Sequence, residues 1–196
     1  YLAEYTHSYF LLDNYFHFTT GLLILLFILI FTFISNERKL KLPQSTAFKW
    51  YIFAILFGAS YVFIQTPLNW IYNLMTGANY SIIYGFDGLR NFTSINILSV
   101  ILFVPITEEL FFREFLQRNL QKRIAPFVAI GLTSILFASI HLPLVNWYLD
   151  YQEFSFHHAY IALVGGIALG FAYHKSKSIG PPIVLHILWN TIVTLV

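Results

Sequence analysis

Six apolar runs divide this chain, and its polar residues gather in the intervals between them. With about 20 residues needed to cross a hydrocarbon layer, the runs predict spans over Phe16 to Ser35, Ala47 to Ile64, Ser94 to about Arg118, Pro126 to Leu142, Phe156 to His174 and Pro182 to Val196. The run Leu68 to Leu74 (LNWIYNL) is too short to cross, and its Trp and Tyr read as an interfacial turn of helix. The pattern therefore predicts an all-α, polytopic membrane helical bundle of about six transmembrane helices. Residues 1–92 supply N-terminal spans and an outer loop without motifs, and residues 93–196 a helical core in the same continuous membrane domain.

Positive charges orient these spans. Arg38, Lys39, Lys41 and Lys49 follow span one, Arg118, Lys122 and Arg123 follow span three, and Lys175 and Lys177 follow span five. The opposite loops hold only Arg90 against Asp87, Asp150 and Glu153. One alternation with both termini outside satisfies every loop under the positive-inside rule. Span five adds Ala162, Gly166 and Gly170 at four-residue intervals, a nearly bare face suited to close helix packing.

Composition points the same way: 58% of the 196 residues are hydrophobic and 10% charged, with a mean hydropathy of +0.67, against roughly 25% charged in an average soluble domain. A net charge of +2 gives no reason to expect nucleic acid as a partner. The absence of cysteine excludes a disulfide framework, a zinc ribbon and a thiol nucleophile. The chain opens on Tyr rather than Met and stops inside an apolar run, as a piece trimmed from a longer protein would.

Against this apolar background, Glu108, Glu109 and Arg113 stand inside the third span. Each such charge costs roughly 2.5 to 3.5 kcal/mol at a helix centre, so its default reading is functional. On an ideal helix, successive residues are about 100° apart. Glu109 and Arg113 then stack as a structural ion pair, and Glu108 points about 100° away, free to meet another helix. Pro105 just before them lacks an N–H and predicts a kink that opens the backbone near Glu108.

Two further spans carry polar groups at the same spacing. In FASIH, Phe137 can back the imidazole of His141; in HILWN, His186 and Asn190 share a face. Counted up from the basic loops, Glu108 and His141 fall roughly 15 to 24 Å deep and His186 with Asn190 roughly 9 to 15 Å. His7, His17, His157, His158 and His174 fall at span ends and read as interfacial.

A carboxylate beside an imidazole in a low-dielectric cavity is a general-base pair able to activate water. A neighbouring His and Asn can donate to a developing oxyanion. This chemistry hydrolyses an acyl bond, most simply a peptide bond, without a cofactor. The alternative is zinc held by Glu108, His141 and His186 with an open position for water; Asn190 is a poor zinc ligand, and no HExxH motif is present. A transporter or proton channel would need repeats or paired broken helices, which the pattern lacks.

The strings EELFFR (Glu108 to Arg113), FASIH and HILWN resemble, in order, the EExxxR, FxxxH and HxxxN/D motifs of the CAAX protease and bacteriocin-processing (Abi) family of intramembrane proteases, over Ser94 to Val196. The resemblance implies an intramembrane endopeptidase in which Glu108 with His141 activates water, His186 with Asn190 forms an oxyanion hole, and Glu109 with Arg113 supports the site. That family has been labelled both metalloprotease and glutamate protease; the angular separation of the two glutamates favours the second label. The implied substrate is a membrane-bound peptide or protein tail, and the small size and residue usage suggest a bacterial cell membrane. The other role open to such a chain is a non-catalytic scaffold that binds and regulates a partner membrane protein.

Overall fold

The computed structural model describes residues 22–27, 48–81, 96–144, 148 and 154–195, and all regular structure among them is helical. Residues 22–27 form helix within the first apolar run. The rest of that run, the basic loop with Arg38, Lys39 and Lys41, the outer-loop charges Asp87, Arg90, Asp150 and Glu153, and His7 and His17 lie outside the described residues.

Helix α1 (Lys49–Thr76) is one 28-residue rod, about 42 Å long at 1.5 Å per residue. The LNWIYNL segment is therefore not a separate interfacial turn, because the helix continues through Pro67 to Thr76. Tertiary anchors sustain it there. Asn69 is buried with its Oδ1 2.8 Å from His157 Nε2, and the Asn73 amide exchanges two hydrogen bonds with the backbone of Tyr80 at 2.8 and 2.9 Å. Gly77 then ends the helix at φ 72°, with its N–H bonded to Asn73 O at 2.8 Å.

Helix α2 (96–120) has mixed winding. Short α-helical pieces, Asn96–Leu98, Val104–Glu109 and Arg118–Leu120, alternate with π-helical stretches at Ser99–Phe103 and Leu110–Gln117. Helix α3 (Pro126–Ser139) starts on a proline, which has no N–H to leave unsatisfied in the first turn. It stops before His141, which occupies a tight turn with its N–H on Ala138 O at 3.0 Å. Helix α4 (His157–Ser176) ends at Lys177, and α5 (Gly180–Leu195) starts with Pro181 and Pro182 in its first turn.

The packing has two principal seams, α1 on α5 and α3 on α4, with α2 laid across them. Gly166 and Gly170 line the second seam. A methyl on Gly166 would stand 3.3 Å from Phe137 and Ser134, and one on Gly170 would stand 2.9 Å from Gln117 Oε1 and 3.0 Å from Ile130 Cγ2. The small-residue face thus lets α4 approach α3 and the polar side of α2. Tyr61, Phe112, Phe137, Leu169, Leu185 and Trp189 form the centre of the core, and the Tyr61 hydroxyl donates to Ile161 O at 2.7 Å.

Large apolar side chains also cover the outside, including Phe63, Trp70 and Leu74 on α1 and Phe127 and Ile135 on α3. Among the described residues α1 alone is long and apolar enough to cross a membrane; α3 and α5 are apolar but shorter. The ends of these helices differ from the apolar runs because capping and turn geometry, rather than hydropathy, terminate them.

Candidate active site

The polar centre forms where α2, α3 and α5 meet. Glu109 and Arg113 are both fully buried, and Arg113 Nε donates to Glu109 Oε2 at 3.0 Å. The pair does not stand alone. The other Glu109 oxygen, Oε1, lies 3.0 Å from His186 Nδ1, so Glu109 links the guanidinium to the imidazole.

Glu108 lies on the other side of that ring. Its Oε2 is 3.7 Å from His186 Nε2, too long for a hydrogen bond. This oxygen is buried and has no hydrogen-bond partner among the described residues, while the side chain as a whole keeps 17% exposure. Both carboxylates thus face one histidine, Glu109 bonded at Nδ1 and Glu108 turned toward Nε2: Glu108 meets another helix while Glu109 holds Arg113, and Glu109 adds a bond to His186 that four-residue spacing does not reveal.

Aromatic rings fix the imidazole of His186 from two directions. Trp189 stacks on it at 5.3 Å between centroids, and Phe137 meets it edge to face at 5.8 Å. Phe137 also touches the His141 ring at 4.7 Å and lies under the Arg113 guanidinium at 5.4 Å. The Nδ1–H of His141 donates to Phe137 O at 2.8 Å, which leaves Nε2 as the ring's acceptor. The expected Glu108 and His141 pair is not a direct contact: the imidazole beside Glu108 belongs to His186.

Asn190 has a contact that spacing alone does not reveal. In the π-helical stretch Ser99–Phe103 the Val104 N–H bonds to Ser99 O, five residues back. Continued by one residue, that winding would aim residue 105 at Val100 O, and Pro105 has no N–H to give. The side-chain amide of Asn190 supplies the missing donor, with Nδ2 2.9 Å from Val100 O. The opened backbone expected at Pro105 is therefore present, and α5 closes it.

Gln117 completes the buried chain. It is fully buried, its Oε1 accepts from Arg113 Nη1 at 3.5 Å, and its Nε2 donates to Gly170 O at 2.9 Å. Glu109, Arg113 and Gln117 recur at four-residue intervals, a spacing that could have flagged Gln117 from the sequence. Trp189, three residues after His186, was legible in the same way.

Among the described residues, no three His, Cys, Asp or Glu side chains gather closely enough to hold a metal ion. Phe137 contacts both imidazoles, and the Nδ1 bonds of His141 to a backbone carbonyl and of His186 to Glu109 leave Nε2 of each ring, the nitrogen with which either would hold a metal as well as a water. Of the histidines read as interfacial, His157 is bonded to Asn69 and stacked on Tyr80 at 3.8 Å, and His174 faces Phe127 at 6.0 Å.

A family model described as type II CAAX prenyl endopeptidase Rce1-like matches residues 90–192, more than half of the chain and all of the polar centre. No curated protein and no solved structure matches. The matched segment begins just before α2 and ends within α5, so it covers the helices that carry Glu108, Glu109, Arg113, Phe137, His141, His186 and Asn190. On that match the chain belongs to the Rce1-like family of membrane-embedded type II CAAX endopeptidases.

Proposed function

We propose that the chain is an intramembrane endopeptidase that hydrolyses a peptide bond in a membrane-associated peptide or protein, with Glu108 as the base that activates water. The six apolar runs serve as its transmembrane spans. The observation that carries this reading is the contrast between the glutamates: Glu109 is satisfied by Arg113 and His186, whereas Glu108 Oε2 is buried and unpartnered 3.7 Å from His186 Nε2.

In the proposed reaction Glu108 takes a proton from water as the water oxygen attacks the substrate carbonyl carbon. The carbonyl becomes an oxyanion, and collapse of the tetrahedral intermediate breaks the C–N bond while Glu108 returns the proton to the leaving nitrogen. Paired with the Arg113 guanidinium, Glu109 acts as acceptor, so Nδ1 of His186 carries the proton and Nε2 addresses the reacting centre. His141, with Nε2 as its acceptor, is assigned a second contact to the water. Asn190 spends one amide N–H on Val100 O and has another for the oxyanion; His186 joins it there in its doubly protonated form, with Nε2–H as the donor.

Replacing Glu108 by Gln tests the reading directly. Turnover of a membrane-reconstituted peptide substrate should fall by about 10²- to 10⁴-fold, the usual range for a general base. Unchanged turnover would sink the proposal. A Glu108→Gln chain that still exerts its full biological effect while holding a partner membrane protein would support the scaffold role instead.

A further inference from the structure

A cavity of about 430 Å³ lies at the opposite end of the polar chain from Glu108, where α2 and α4 finish and α3 and α5 begin. Its volume falls within the range of about 300 to 1,000 Å³ that small-ligand pockets occupy. Glu114, Arg118, Gln121, Tyr173, His174 and Lys177 supply its polar wall.

The charges on that wall are unequally committed. Glu114, its one carboxylate, pairs with Arg118 and accepts from the Tyr173 hydroxyl at 2.7 Å. Among the described residues, Lys177 makes no side-chain hydrogen bond or ion pair, and Gln121 Nε2 is buried without a partner. The wall therefore offers an ammonium and an amide donor with no anion of its own to meet them. Lys122, Arg123 and Lys175 stand on the same end of the bundle, in the turn after α2 and the last turn of α4.

Backbone geometry supports a purpose for Lys177. It is the C-cap of α4 at φ 53°, and among the described residues it is the one non-glycine with positive φ. Glycine is the usual occupant of such a cap, so lysine is held there at a steric cost. The other side of the cavity is apolar: Pro126 lines it, and Phe127, 67% exposed, packs against the His174 ring.

We propose that this cavity binds the phosphate of an anionic phospholipid headgroup, with Lys177 and Gln121 as the donors and Phe127 facing the acyl region. A cationic, donor-lined recess with an apolar lip at the basic end of a helical bundle matches the two halves of such a lipid. A free phosphate would meet the same donors but gain nothing from Phe127.

The test is native mass spectrometry of the full chain in detergent, with phosphatidylglycerol and phosphatidylcholine supplied in equal amounts. The wild-type chain should retain phosphatidylglycerol in preference. Lys177→Gly should lower that preference about fivefold, the effect of one lysine at a lipid surface. Its unfolding temperature should hold or rise, because glycine accepts the positive φ without strain. Lys122→Gln, outside the cavity wall, should leave the preference unchanged. The proposal is overturned if the wild type shows no preference, if Lys177→Gly keeps it, or if Lys122→Gln loses as much. Displacement of the lipid by an equal concentration of inorganic phosphate would likewise overturn it, by showing a site for the free anion.

Discussion

The imidazole of His186 bonds through Nδ1 to Glu109 Oε1 at 3.0 Å, and it presents its other nitrogen to a second carboxylate that it does not bond. Two adjacent glutamates are thereby given different chemical lives by one ring. Arg113 anchors the satisfied side, and the unsatisfied side is where a substrate water would find both an acceptor and a charge.

Opposite responses to matched substitutions follow. Glu109→Gln leaves Arg113 buried without its counter-charge and should destabilise the chain by about 3 to 5 kcal/mol, the usual loss on breaking a buried pair. Glu108→Gln removes a buried charge that has no hydrogen-bond partner at Oε2 and should leave stability unchanged or raised. Thermal unfolding of both variants in one detergent checks the contrast; equal destabilisation would contradict it.

The link between Pro105 and Asn190 predicts a rescue. Asn190→Ala should leave Val100 O unpaired at a cost of about 1 to 3 kcal/mol. Adding Pro105→Ala restores an N–H to that carbonyl, so the double variant should recover most of the loss. Unfolding midpoints of the two single variants and the double variant give the coupling. Peptide cleavage should not recover with stability, because the donor assigned to the oxyanion is still missing.

Glycine positions on two helices should separate by contact. Gly170→Ala places a methyl 2.9 Å from Gln117 Oε1 and 3.0 Å from Ile130 Cγ2, and should destabilise by about 1 to 3 kcal/mol through overpacking. At Gly131 a methyl meets nothing within 4 Å, so Gly131→Ala should be neutral or stabilise by up to about 1 kcal/mol. Unfolding measurements on the pair separate contact from a general intolerance of added side chains.

A chain with no cysteine suits single-cysteine labelling. If the six runs are spans, Lys122→Cys should react with an impermeant thiol reagent from the inner side, and Tyr148→Cys, at a position 80% exposed, from the outer side. Labelling of both from one side would remove the alternation on which the proposed topology depends.

The helical class and the residues of the polar centre were legible because few charges interrupt long apolar runs, so Glu108, Glu109, Arg113, His186 and Asn190 stand out. Their contacts were less legible. Four-residue spacing reports a shared face only for an assumed winding, and it led to the Glu109 and Arg113 pair. It does not report that Glu109 also bonds His186 on α5, and nothing local announces the π winding of Leu110–Gln117. Leu68 to Leu74 was misread for a related reason: partners distant in sequence, His157 and the turn at Tyr80, sustain the far end of α1. The position of His141 beyond the end of α3 likewise depends on a turn that hydropathy does not register.

The π-helical stretch at Ser99–Phe103 has a consequence for how this chain can change length. Its wide turn accommodates more chain than an ordinary helical turn, immediately before the two glutamates. Removing one residue there would let the backbone relax to regular α winding while the helix beyond keeps nearly the same orientation, because the wide turn spends one extra residue on about one turn. Such a deletion would keep every polar side chain and leave both carboxylates turned toward His186. The wide turn is thus a reserve of one residue, through which α2 can shorten without moving its glutamates.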